Sequence, residues 1–240
     1  MTNAEELSPD PRHPNSPLTE VVFEMRFPGE TAVECKRHEI QSKIRSDYPH
    51  LLVPAARNGI HLALEPYRFE REDHSAGVMI ALNRFSYYSR AYPGFTSFKN
   101  ECLRLISVFH SVVTIERLNR VGLRHINIIP FVRNDDVLPL KHFLAFAEPM
   151  ETFFGSELEY VANHVVFPLK NGNMTVRIEV VKDASRNQEA ILLDLDHART
   201  KDLTLHEIEG YLEVAHRASS DQFKRIITPR YYEYICGKEV

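Results

Sequence analysis

The sequence predicts an α+β fold of two similar β-α-β-β-β-α halves, with a largely antiparallel sheet and helices packed on one face. Three observations predict it. Residues 20–27 alternate apolar and polar side chains, as a half-buried strand does. Residues 94–113 set Phe95, Phe98, Cys102, Leu105, Ile106, Phe109 and Val113 at three- and four-residue spacing, the stripe of an amphipathic helix. The order of elements then restarts after an offset of roughly 100–110 residues, far longer than a solenoid unit.

The 240 residues divide into a disordered, proline- and serine-rich tail over 1–16, a first half over 17–116 and a second half over 117–240. In the first strand Val21, Phe23, Met25 and Phe27 face one side, and Glu20, Val22, Glu24 and Arg26 the other, until Pro28-Gly29 ends it. A helix with few apolar positions (Val33, Ile40, Ile44, Tyr48) follows over 31–48. Strands are expected over 51–53, 60–69 and 78–88, with turns at Asn58-Gly59 and at Ser75-Ala76-Gly77. Pro93 stands where a helix start tolerates proline, just before the stripe at 94–113.

The second half reads as a strand over 120–131, a helix over 135–150 and strands over 157–168, 173–183 and 189–197. Lys170-Asn171-Gly172-Asn173 makes a hairpin turn between the first two of those three strands. A final helix over 204–227 opens on Thr204 with Glu207 three residues later, the spacing of a capping box. The duplicated order resembles the plan of helix-grip and TATA-binding-protein-like folds.

Composition excludes several classes. With 29 Lys and Arg against 33 Asp and Glu, the net charge of -4 argues against coating nucleic acid through bulk positive charge. No apolar run approaches the roughly 20 residues that a membrane helix requires. The opening MTNAEELSPDPRHPNSP has no apolar core, so it does not read as a secretory signal. Cys35, Cys102 and Cys236 are odd in number and lack C-x-x-C spacing, so no disulfide framework is expected and the cytoplasm is the expected compartment. Cys102, on the helix stripe, reads as a small buried hydrophobe.

Catalytic signatures are missing: no G-x-S-x-G, no G-x-x-x-x-G-K and no G-x-G-x-x-G occurs. His206-Glu207 begins like a zinc-protease motif, but Gly210 holds the second histidine's place. No catalytic residue, metal ligand set or cofactor is therefore assigned. Arg120 and Arg124 share a strand face with Gly122 between them, and Arg117 and Arg84 stand near enough in sequence or topology to join them. Guanidinium groups so placed suit a carboxylate or phosphate, or else neutralise Glu24, Glu116, Asp194 or Asp196. Asp194 and Asp196 share one face of their strand, where they either bind a cation, divide acid and base roles, or pair with basic residues. His125 and Asn127 lie on the core face of the 120–131 strand, either as buried polar groups that fix strand register or, for Asn127, as a ligand- or partner-binding residue beside the arginines and, for His125, as a catalytic or metal-binding imidazole. Tyr87, Tyr88 and Tyr92, and again Tyr231, Tyr232 and Tyr234, are interface candidates.

Pro17–Phe27, Asn83-Arg84-Phe85, Tyr92-Pro93-Gly94, Arg117–Asn127 and Leu192–Asp196 together resemble a sporadically distributed prokaryotic family of uncharacterised proteins of about this length, known only by a family number. The resemblance extends over nearly everything after residue 16, and its most specific part is Arg120–Asn127. His125 stands where the family more often has tyrosine. The patchy distribution implies a role beside a partner protein encoded nearby. The expected function is a non-catalytic protein-binding component, antitoxin-like or defence-associated, working as a homodimer. Two alternatives remain open: an enzyme or sensor binding an anionic small molecule between the halves, and a saddle gripping nucleic acid through the arginines.

Overall fold

A computed structural model describes residues 13–52, 67–133, 135–155, 158–183, 188–200 and 203–238. The elements run β1 (Leu18–Arg26), α1 (Ala32–Cys35), α2 (Arg37–Ile44), β2 (His50–Leu52), β3 (Tyr67–Glu70), β4 (Ala76–Ala81), β5 (Arg84–Ser89) and α3 (Phe95–Val112). They continue with β6 (Arg120–Pro130), α4 (Leu140–Phe143), α5 (Ala147–Phe154), β7 (Ala162–Leu169), β8 (Gly172–Asp183), β9 (Gln188–Arg199), α6 (Ile208–Ile226) and α7 (Pro229–Ile235). Helices and a large antiparallel sheet make this an α+β protein. No helix among the described residues is long and apolar enough to cross a membrane.

Two compact units result, and both are discontinuous in sequence. One joins Glu20–Leu123 to Ala198–Glu213, and the other joins Arg124–His197 to the C-terminal residues from Val214 and the described residues through Thr19. A boundary at 116/117, as the element order suggests, does not follow these packing units, because β6, β9 and α6 each give residues to both.

In the first unit the strands lie in the order β2-β3-β4-β5-β1-β6. Phe23 pairs with Tyr87 and Met25 with Phe85 across β1 and β5, so the expected alternation of β1 becomes one apolar sheet face. The stripe of α3 covers that face: Phe98 stacks on Tyr87 at 5.0 Å, and Phe109 meets Phe85 at 5.1 Å and Phe27 at 5.8 Å. Each of these fully buried rings contributes roughly 1.5–3 kcal/mol by leaving water. Cys102 is buried among them, as expected of a small hydrophobe. Gly94 precedes α3 with φ of +94°, a conformation that explains glycine after Tyr92-Pro93.

The second unit orders β6-β9-β8-β7. Alternate residues of β8 (Met174, Val176, Ile178, Val180) and of β9 (Ile191, Leu193, Leu195) face one core, to which α4, α5, α6 and α7 all contribute. Helices therefore gather on one face of this part of the sheet.

Several expected elements take another form. The 78–88 strand is two strands, because Leu82-Asn83 turns the chain, and an apolar leucine hides that turn in the sequence. Gly77 lies inside β4, not in a turn: a Cβ there would meet the Tyr88 hydroxyl at 2.5 Å. The 31–48 helix breaks at Lys36, whose φ of −105° and ψ of 12° leave the helical region. The 135–150 helix is two short ones, since Asp135 and Asp136 have positive φ and Leu144 bridges Ile227 in a strand-like pair. The last helix stops at Ile226 and a further helix, α7, follows. Thr204 and Glu207 do form the capping box, the Thr204 N–H donating to Glu207 at 2.9 Å. Order extends further toward the N-terminus than Pro17: Asn15 donates to the Tyr234 carbonyl at 2.9 Å. The Asn58-Gly59 turn and most of the 60–69 strand lie outside the described residues.

Candidate functional site

Alternation along β1, β5, β6 and β9 turns the apolar residues to the core and sends the charged ones to the opposite face. In the first unit Glu24 receives two of the predicted arginines: Arg120 at 2.9 Å and Arg84 at 3.5 Å. A Cβ at Gly122 would meet the Arg120 guanidinium at 2.7 Å, so the space over the glycine is filled by Arg120 itself. In the second unit Arg124 grips Asp194 through one edge of its guanidinium, Nε and a terminal nitrogen donating to the two carboxylate oxygens at 2.8 and 2.6 Å, the bidentate geometry that planar guanidinium favours. Asp196 is half-buried on the same strand face as Asp194, and Arg117 is exposed in the segment before β6. Arginine and carboxylate thus meet within each unit.

His125 and Asn127 occupy the core face of β6, as expected. Asn127 donates to the Leu193 carbonyl at 3.1 Å and so ties β6 to β9. Burial, helped by the neighbouring His216, pushes the His125 imidazole down to about 3, so the ring is neutral near pH 7. The two imidazoles stand 6.0 Å apart. His125 Nδ1, Asn127 Oδ1 and Ser219 Oγ are buried with no hydrogen-bond partner among the described residues, around a void of about 10 Å³, the least space that admits one water. Among the described residues no group of three or more His, Cys, Asp or Glu is placed to hold a metal.

The two tyrosine clusters differ. Tyr87, Tyr88 and Tyr92 are buried at 2%, 2% and 6% exposure, which corrects their assignment as interface candidates. Tyr88 leans across Gly77, its cross-strand neighbour, and donates to Glu70, while Arg90 lies 5.0 Å over its ring. Burial would raise the Glu70 carboxyl, but the hydrogen bonds from Tyr88 and His74 and the charge of Arg90 hold it below its usual range.

Tyr231 and Tyr234 instead wall a groove of about 590 Å³ in the second unit. Its far side is the strand end at Ile128 and Pro130 with the N-terminal strap Pro14–Pro17. The Pro17 carbonyl accepts from Ile128 at 2.8 Å, and Pro14 packs on Gly237. Its near side is Phe143 and His142 of α4 and Arg230, Tyr231 and Tyr234 of α7. Thr228 builds this wall: its hydroxyl caps α7 by accepting from the Tyr231 N–H at 3.1 Å and donates to the His142 carbonyl at 2.8 Å. Phe143 meets Tyr231 edge-on at 5.1 Å, and Tyr231 stacks with Tyr234 at 6.0 Å. Tyr234 is 48% exposed, and among the described residues no acidic side chain lines the groove. Tyr232 is half-buried, with Lys224 5.4 Å over its ring.

Sequence reading missed His142, Phe143 and Arg230. The signal was present in Thr228-Pro229, a cap residue followed by proline at a helix's first position, which announces α7. No protein-family model matches the sequence, and no curated protein matches it either.

Proposed function

We propose that the protein is a non-catalytic binding component, antitoxin-like or defence-associated, which seats an extended segment of a partner polypeptide in the groove between α4, α7 and the N-terminal strap. The observation that carries this reading is the groove itself: aromatic walls, one arginine and no acid among the described residues, and a volume within the range of binding pockets. Stacked tyrosines offer flat apolar faces at little entropic cost, and Arg230 favours an acidic residue beside the apolar contact. The missing catalytic signatures and the odd, unpaired cysteines fit such a role in the cytoplasm. Arginines 84, 120 and 124 already face carboxylates, so the groove carries the reading better than they do.

The test is native mass spectrometry of the protein isolated from its own host, followed by the same measurement on Tyr234→Ala and Arg230→Glu. A second polypeptide bound to the wild type, and weakened roughly tenfold or more in each variant, is the expected result. A wild-type protein that carries no polypeptide other than further copies of itself overturns the proposal. A second reading keeps the groove and changes the occupant: Arg230 and His142 also suit a small anionic ligand, which the same spectrum registers as a small added mass. We also read the chain as a duplication, supported by the position of each half's first strand beside its last meander strand, β1 beside β5 and β6 beside β9.

A further inference from the structure

Among the described residues β7 ends the sheet, and the side chains of Ala162–Val166, Pro168 and Leu169 are exposed on its two faces, with Val165, Val166 and Leu169 at 45, 59 and 37% exposure, while Phe167 is half-buried against the core. Its register with β8 is unbroken from Ala162 opposite Glu179 to Leu169 opposite Gly172. Pro168 has no N–H, so its pairing with Asn173 belongs to the non-hydrogen-bonded class of the ladder. Alternation then fixes the rest: Asn163, Val165, Phe167 and Leu169 bond to β8, whereas Ala162, His164 and Val166 point their N–H and C=O groups outward. Edge strands that stay single normally carry charges that discourage pairing. From Ala162 to Leu169 there is no Lys, Arg, Asp or Glu.

We propose that β7 is the edge through which two copies of this chain associate, the second copy's β7 adding antiparallel about a two-fold axis at Val165. This register sets His164 opposite the second copy's Val166, and the reverse, so both residues exchange N–H and C=O bonds. Ala162 donates to the carbonyl of the second copy's Pro168, which has no donor to waste. Val165 faces its own equivalent, and Asn163 faces Phe167. Val165 and Phe167 also line an apolar recess of about 230 Å³ with Val176, Ile178 and Ile226, which pairing deepens. The occupant is a second copy because the edge complements itself: donors meet acceptors about Val165, and no like charges are opposed. The same register carries each copy's Lys170, at the hairpin turn, toward the other copy's Glu179 beside the end of β7.

This surface is separate from the groove of the proposed function, so either can fail alone. The test is sedimentation velocity at micromolar concentration together with hydrogen exchange, on the wild type and on Val166→Pro and Val165→Asp. Val166→Pro removes an outward donor that the β8 ladder does not use, and Val165→Asp sets like charges face to face. The wild type is expected at twice the 27.8 kDa chain mass, with slow exchange at the His164 and Val166 amides. Both variants are expected at the single-chain mass with unchanged circular dichroism; should Val166→Pro misfold, Val165→Asp decides. A monomeric wild type, a dimer that survives Val165→Asp, or a dimer with fast exchange at those two amides overturns the proposal. Protection of the two amides that appears only on adding another protein overturns it as well, and assigns the edge to that protein.

Discussion

Tyr87, Tyr88 and Tyr92 and Tyr231, Tyr232 and Tyr234 are equally dense clusters in the sequence, yet the first is a core and the second opens on a groove. The difference lies in what each backbone offers. In β5, Tyr87 and Tyr88 sit in a central strand with neighbours on both sides, so Tyr87 meets the α3 stripe on one face while Tyr88 crosses Gly77 to reach Glu70 on the other, and Tyr92, beyond the strand, packs on Phe98. In α7, a helix of two turns, one face packs and the other does not: Tyr231 is buried and Tyr234 is open. A tyrosine cluster thus signals amphipathic rings and says nothing of which end of the ring meets water.

Four substitutions sharpen or break this contrast. Tyr87→Ala is expected to cost about 3–5 kcal/mol of unfolding free energy, because it empties a fully packed site against Phe98. Urea titration reads it directly, and a cost under 1 kcal/mol would end the description of the first cluster as core. Next comes the acid limb of stability. His125 is neutral when folded because its value is pushed down to about 3, whereas an unfolded histidine titrates near 6.5. The unfolded chain therefore binds more protons between those values, and the stabilisation present above pH 6.5 is lost as pH falls toward 3. His125→Phe is expected to flatten that limb, and midpoints measured across the range check it.

Tyr88→Phe removes the donor that Glu70 uses in a nearly closed site, with an expected cost of about 1–3 kcal/mol. The folded Glu70 carboxyl lies below its ordinary 4.5, so its contribution is present above that pH and lost as pH falls through the folded value. In the variant the folded value moves up toward 4.5, so the loss on acidification is expected to be smaller and to finish at higher pH, which the same titrations show. The smallest effect belongs to Tyr234→Ala, expected within about 0.5 kcal/mol of the wild type because the ring is half in water. A large loss of stability there would make the groove wall structural.

Much of the fold is legible locally. The alternation of β1 and the stripe of α3 emerge as read, because a strand half-buried and a helix half-buried write their periods into adjacent residues. Elements whose ends depend on a single backbone conformation are harder to read. Leu82-Asn83 turns the chain without glycine or proline, and Asp135 and Asp136 adopt positive φ, which composition does not announce. The site was legible in part. The face shared by Arg120, Gly122 and Arg124 follows from period two, and so does the inward aim of His125 and Asn127.

What the sequence determined by itself is therefore periodicity: which side chains share a face, and where a capping box starts a helix. Tertiary structure alone decided the partners. Arg124 found Asp194 seventy positions away, the space over Gly122 went to Arg120, and residues near both ends of the chain met to wall one groove. The physical reason is range. Backbone geometry repeats within two to four residues, whereas the burial, pairing or exposure of a side chain is settled by segments that only the folded chain brings into contact.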